Sequence, residues 1–256
     1  MKKYLKSIIA MATVSIMALS IVGCGNGGDN NSSASGEDSS VITLATNAEF
    51  PPYEYYEGQE IVGIDVDFIN AIGEKLGKEI VIEDMAFDSI IPAIQSGKAD
   101  IGMAGMTVTE DRLANVDFTE TYVHTSQAII VNTDSDAIKS SADLEGKTIG
   151  VQLGTTGDTY AGDVTDKVER YNKGFEAAMA LSQGKIDAVV IDESVAKALA
   201  EGTENLAVLD EPFTEEDYAI AVKKGNQELV DELNKAINEL KEDGTLQSIV
   251  DKYIAE

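Results

Sequence analysis

A chain of 256 residues with 43% hydrophobic side chains is long enough for one large domain or for two lobes of roughly 100 residues each. Acidic residues outnumber basic ones 46 to 19, and the net charge of -27 at pH 7 repels a nucleic-acid backbone, which needs a basic footprint. Cys24 is the single cysteine, which excludes an intramolecular disulfide and a cysteine-paired metal site, and nothing in the composition points to a cofactor.

Residues 1–23 read as an export signal. Lys2, Lys3 and Lys6 precede an uncharged apolar run at 8–22, which is shorter than the roughly 20 residues that span a bilayer. The run ends in Ile21, Val22, Gly23 and Cys24, and this ending is similar to the lipobox at which bacterial lipoprotein precursors are cleaved. That resemblance implies a diacylglycerol on the Cys24 sulfur, a two-chain membrane anchor. Removal of the three lysines then takes the net charge from -27 to -30. Residues 24–40 carry no large apolar side chain after Cys24 and form a flexible tether that cannot bury anything.

From Val41 onward, strand patterns alternate with amphipathic helix patterns, which predicts an α/β fold with a largely parallel sheet. The predicted strands lie at 41–46, 79–83, 100–103, 127–131, 148–151, 187–191 and 218–222. Val66, Ile69, Ile72 and Leu76 repeat at helical spacing, as do Leu229, Val230, Leu233, Ile237 and Leu240, and both stripes read as core faces.

One internal echo proposes the architecture. Gln95-Ser-Gly-Lys-Ala-Asp100 and Ser182-Gln-Gly-Lys-Ile-Asp187 each place a glycine suited to a left-handed helix cap just before a buried strand. The same step forward leads from Gly97 to Gly105 and from Gly184 to Asp192, both just beyond the carboxyl end of a strand. Ligands of open α/β sheets bind at such ends, so two of them facing one another make a cleft between two lobes.

Several stretches resemble the polar amino-acid-binding proteins of ABC importers. They are Thr46-Asn-Ala-Glu-Phe-Pro-Pro-Tyr-Glu54, Val62-Gly-Ile-Asp-Val-Asp67, Ile90-Ile-Pro-Ala-Ile-Gln-Ser-Gly97 and Ala104-Gly-Met-Thr-Val-Thr-Glu-Asp-Arg112. Gly146-Lys-Thr-Ile-Gly-Val-Gln-Leu-Gly-Thr-Thr-Gly157, Ile186-Asp-Ala-Val-Val-Ile-Asp192 and Asp243-Gly-Thr-Leu246 follow in the same order. The resemblance implies a two-lobed periplasmic-binding-protein-like fold of type II, with two hinge crossings near Gln127 and Ala221. One lobe then comprises 41–126 and 222–256, the other 127–221. It implies a monomeric, lipid-anchored receptor on the outer face of the cell membrane, as in a Gram-positive bacterium, that closes on a free L-amino acid and presents it to the ABC permease.

Holding a zwitterion away from water demands an opposite charge and several hydrogen bonds at each end. Arg112 offers a guanidinium fork that matches a carboxylate, and the resemblance assigns it that role. Asp192 matches the acid that receives the α-ammonium, and it is equally suited to cap the helix that follows it. The matching turn uses the Gly105 carbonyl and the Thr107 hydroxyl for the ammonium and the Thr107 amide for the carboxylate. On the other lobe the Thr156 amide, at a helix start, binds the carboxylate while Thr155 lines the pocket. Phe50 and Phe87 match positions that sandwich the ligand side chain, and Tyr53 stands near the same mouth. Asn47, Glu49 and Gln152 occupy places where members of the family differ in selectivity. Several basic-ligand binders carry an acid at the place of Asn47, and Gly157 replaces a polar residue common in histidine binders. The reading leans towards a basic or polar amino acid, with cystine and glutamine as alternatives. Catalysis, as in cyclohexadienyl dehydratases of the same fold, is the rival. His124 is the only histidine, reads as a loop or hinge residue, and leaves no Ser-His-Asp set to assemble.

Overall fold

A computed structural model describes residues 40–254. The signal segment, Cys24 and nearly all of the tether lie outside the described residues. In chain order the elements are β1 (Val41–Thr46), β2 (Glu49–Phe50), β3 (Glu54–Glu57), β4 (Glu60–Val62), α1 (Ile64–Leu76), β5 (Glu79–Asp84), α2 (Ile90–Ser96) and β6 (Ile101–Gly102). Then come α3 (Glu110–Leu113), β7 (Val116–Phe118), β8 (Val123–Asn132), β9 (Ile149–Gln152), α4 (Thr156–Val164), β10 (Val168–Tyr171), α5 (Gly174–Ser182) and β11 (Ala188–Asp192). The chain finishes with α6 (Glu193–Glu201), β12 (Leu206–Val208), β13 (Thr214–Tyr218), β14 (Ala221–Lys223), α7 (Gln227–Glu242) and α8 (Thr245–Tyr253).

Two mixed sheets carry the fold. One has the order β5-β1-β6-β14-β7, the other β10-β9-β11-β8-β12 with β13 also paired to β8. In each, three strands run parallel and the first strand after a crossing lies antiparallel beside the third: β14 against β6, and β8 against β11. Sequence alternation predicts the parallel triplets. The expectation of largely parallel sheets therefore holds for half of each sheet only, because a strand arriving from the other sheet enters from the opposite end. A small meander, β2-β3-β4, stands apart from both.

The echo between the two halves is structural. After α2 the Lys98 amide reaches the Ala93 carbonyl at 2.9 Å, and after α5 the Lys185 amide reaches Ala180 at 3.0 Å. The glycine preceding each lysine has positive φ, 76° at Gly97 and 68° at Gly184, as this helix ending requires. Asp100 and Asp187 then do the same thing. Each accepts a backbone amide through Oδ2 at 2.8 Å, from Thr43 and Thr148 respectively, and pins the new strand to its neighbour.

The chain passes from the first sheet to the second over 119–122 and returns over 219–220. The two passages lie side by side, with the Thr119 amide on the Ile220 carbonyl at 3.0 Å and the Tyr122 amide on Tyr218 at 2.8 Å. The Ile220 amide completes the lacing on Thr119 Oγ1 at 3.0 Å. Gln127, expected at the first crossing, lies inside β8, because pairing with β13 begins already at Val123. Ala221 opens β14.

Burial follows the predicted stripes. Val66, Ile69 and Ile72 of α1 and Val230, Leu233, Ile237 and Leu240 of α7 are buried, and the two helices pack on one face of the first sheet. Ile90, Ala93 and Ile94 of α2 cover its other face, while Val151, Ala161 and Val190 belong to the core beneath α4 in the second sheet. Among the described residues no helix is long and apolar enough to cross a membrane.

Candidate functional site

Three loops converge where the two sheets face one another. The first follows β1 and runs into β2, the second follows β6, and the third joins β9 to α4. Around a cavity of about 20 Å³ they and the elements they enter set Asn47, Phe50, Gly105, Thr107, Arg112, Gln152, Thr155 and Thr156, and the connection from β5 to α2 adds Phe87; the sequence nominates all of these. Glu54, Ala104, Gln127 and Tyr218 complete the wall.

The loop after β6 leads into α3, whose N-cap Thr109 accepts the Arg112 amide at 3.2 Å and so fixes where that side chain starts. The guanidinium then bridges the cleft. Nη1 donates to the Thr107 carbonyl at 2.8 Å and Nη2 to the Gly154 carbonyl at 3.2 Å, and the group lies 5.3 Å from the centre of the Phe87 ring. Burial pulls its pKa down from the usual arginine value, and the nearby Glu216 charge opposes that shift. Five donors less two leave the fork able to grip an anion.

Gly105 is required by close approach. A Cβ there would come within 2.9 Å of the Phe50 ring. The same logic answers the glycine that departs from the histidine-binder pattern: a Cβ on Gly157 would stand 3.0 Å from both Gln127 Oε1 and the Val190 carbonyl. Thr155 is the N-cap of α4, accepting the Asp158 amide at 3.3 Å and giving its own proton to the Gln152 carbonyl at 2.8 Å. The first amides of α4, on Thr156 and Gly157, are turned outward with no partner within the helix, a geometry that favours an anion.

Asn47 and Gln152 meet across the cleft. Gln152 Nε2 donates to Asn47 Oδ1 at 2.8 Å, while Asn47 Nδ2 is held by the Met85 carbonyl at 2.9 Å. At the rim, Lys173 and Glu49 form a third link between the two sides, and Glu49 does not line the cavity. Tyr53 also stands behind the wall, stacked on Phe50 with ring centres 5.8 Å apart.

Asp192 takes the cap that its position suggests and does not line the cavity. Fully buried at the end of β11, it caps α6 by accepting the Val195 amide at 3.0 Å on Oδ1. Its Oδ2 takes the hydroxyls of Thr125 at 2.7 Å, Tyr218 at 2.9 Å and Tyr53 at 3.4 Å. It thus stands one hydrogen bond behind the cavity, reached through Tyr218. Burial outweighs these donors and raises its pKa to about 6.

Three side chains matter that the sequence does not nominate for the site. Glu54 is buried, and neither carboxyl oxygen finds a protein donor. Burial and then the charge of the neighbouring Asp65 push its pKa well up, and burial raises that of Asp65 as well. Asp65 in turn takes the Gly105 amide at 3.0 Å and the Tyr122 hydroxyl at 2.8 Å. Gln127 and Glu216 are joined at 2.8 Å. Glu54 falls inside a stretch that carries the family resemblance, which is the one signal that could have found it. The other two meet only because β13 pairs with β8. His124 lies in β8 beside Asp217 and does not line the cavity. Among the described residues no group of His, Cys, Asp or Glu is arranged to hold a metal.

The model of the bacterial extracellular solute-binding proteins, family 3, matches residues 42–256. The chain is 33% identical over 260 residues to the arginine-binding extracellular protein ArtP of Bacillus subtilis, a match that covers 99% of this chain and 98% of that protein. It is 34% identical over 258 residues to a probable histidine-binding protein of Campylobacter jejuni, covering 99% of each. An ancestral arginine-binding protein solved with arginine superposes with a TM-score of 0.80 at 42% identity, over 84% of this chain and 99% of that one.

Proposed function

Because this chain belongs to the bacterial extracellular solute-binding proteins, family 3, we propose that it captures a free basic L-amino acid outside the cell and presents it to an ABC permease. The observation that carries the reading is the pairing of one cation with many acceptors in the wall. Arg112 and the first turn of α4 suit a carboxylate. Asn47, Thr107, Gln127 and Gln152 add side-chain acceptors around them, and Arg112 is the only cation in the wall. A zwitterion fits this mixture, and an additional positive charge suits the carboxylates of Glu216 and Asp192 that stand behind the wall. The relatives named for arginine and histidine support the same choice of ligand.

Closure couples capture to delivery. Asn47–Gln152, Arg112–Gly154 and Glu49–Lys173 all cross the cleft, so a ligand that holds one side recruits the other, with bending confined to the paired passages at 119–122 and 219–220. The chain acts as a monomer, held to the membrane by a lipid on Cys24; the sequence alone supports this part. Palmitate labelling that persists in Cys24→Ser would refute the anchor.

Calorimetric titration of the purified, refolded protein with each common amino acid and cystine tests the reading. Micromolar binding, about 8 kcal/mol, is expected for arginine, lysine or histidine. Exclusive binding of a neutral amino acid, or of none, contradicts it.

A further inference from the structure

Glu54 and Asp65 meet behind Gly105, on the first-sheet side of the cleft. Glu54 lies in β3 opposite Phe50, is 1% exposed and forms part of the cavity wall, and neither of its carboxyl oxygens has a protein donor. Asp65, in the first turn of α1 and equally buried, is better supplied. Its Oδ2 takes the Gly105 amide at 3.0 Å, and both its oxygens lie 2.8 Å from the Tyr122 hydroxyl.

The surroundings of Glu54 all favour its neutral form. Burial acts first, and the charges that follow are negative: Asp65 on α1, Asp192 at the end of β11 and Asp84 at the end of β5. Tyr122, from the first passage, and Tyr53, from the loop before β3, face the same pair, and burial raises the pKa of both hydroxyls. Arg112, the cation of the wall, is committed to the Thr107 and Gly154 carbonyls. Two carboxyls that share a dry site, one of them without a donor, do not ionise together, so the pair keeps a proton.

A ligand cation reverses that balance. An ammonium brings three N–H donors and a positive charge, which are the two things Glu54 lacks. In a cavity of about 20 Å³ an ammonium one carbon away from a carboxylate held at Arg112 has little choice of place. It comes against the wall that Gly105, Thr107 and Glu54 share.

We propose that Glu54 is a further ammonium-binding residue of this site: it waits beside Asp65 as the neutral acid, and the bound ammonium takes the place of its proton. The O–H bond of Glu54 breaks, the electron pair stays on the carboxylate, and the proton leaves to solvent. The inference rests on the reading of the cavity as a site for free amino acids. Since every amino acid carries an α-ammonium, the effect is independent of the side chain. The free protein holds more protons than the complex, so affinity rises with pH.

Calorimetry of the full protein at pH 7, above the Asp192 value of about 6, tests this in two buffers of unlike ionisation heat. Arginine is the probe, or the tightest binder of the amino-acid panel should that be another. The expected result is release of about half a proton or more per ligand, with affinity rising about 3-fold or more from pH 7 to pH 8. Both effects should vanish in Glu54→Gln, which keeps the shape of the side chain and cannot ionise. No release in wild type, or release that persists undiminished in Glu54→Gln, overturns the proposal. If the variant does not fold, the wild type decides alone: the infrared C=O stretch of a neutral carboxyl should be lost on adding the ligand, and an unchanged spectrum there overturns the proposal. A protein that binds no free amino acid overturns the reading of the cavity as well, whereas binding without proton release overturns this inference alone.

Discussion

Gln152 at the end of β9 and Asn47 just after β1 are 105 residues apart in sequence and joined at 2.8 Å across the cleft. Both are buried, at 2% and 6% exposure, and each is anchored on its own sheet. Gln152→Ala strands Asn47 Oδ1, a loss of about 1–3 kcal/mol in the closed form. Ligand affinity should fall by at least 5-fold, chiefly through faster release, as stopped-flow dissociation would show. Unchanged release would mean that closure does not depend on this bond.

Arg112→Lys keeps the charge and loses the fork. A lysine ammonium cannot hold the Thr107 and Gly154 carbonyls and still offer a bidentate face to a carboxylate. Affinity for every amino acid should drop by at least 10-fold with little change in melting temperature. Arg112→Ala should abolish binding.

Asp192 gives a pH signature. Its folded pKa of about 6 exceeds the ordinary 3.8, so the stability it contributes is fully present below about pH 4 and is lost as pH rises through 6. The loss amounts to about 3 kcal/mol. Asp192→Asn keeps one oxygen for the helix cap and stays neutral, so it should flatten the melting profile between pH 4 and 7, while the hydroxyls that donate to Oδ2 lose their acceptor. If Asp192 receives the ligand ammonium through its shell of hydroxyls, the same variant should bind at least 10-fold more weakly. Normal binding would remove it from the site.

Glu54 is raised still further, by burial first and by Asp65 second. Its stabilising share is complete below the ordinary glutamate range and disappears as pH climbs through the raised value. Glu54→Gln supplies a permanent donor to Asp65 and should make the protein more resistant to alkaline unfolding than wild type. Thermal melts across a rising pH series would check this, and a steeper alkaline loss in the variant would count against it.

What the sequence made legible divides along contacts near and far. Gly105, Thr107 and Arg112 sit within one loop, so a short contiguous stretch carries their arrangement. Thr155 and Thr156 likewise follow from a helix start. Glu216 and Gln127 are 89 residues apart and acquire meaning only from the pairing of β13 with β8. Asp192 was visible as an acid at a strand end and as a cap, but the convergence of Tyr53, Thr125 and Tyr218 on it depends on three separate segments. The parallel triplets were readable from alternation, whereas β2, β3 and β4 are too short to show a period and β8 and β14 owe their direction to the crossings.

Those crossings divide the molecule's labour. Laced to one another at Thr119, Tyr122 and Ile220, the two passages form one paired connection between the sheets, which under the proposed closure would act as a single leaf spring. Compliance would then be lodged in a few backbone residues outside the cavity wall, and selectivity in side chains that need not flex. Exchanging the ligand for another is then a matter of repainting the jaws, with the spring left at its original stiffness.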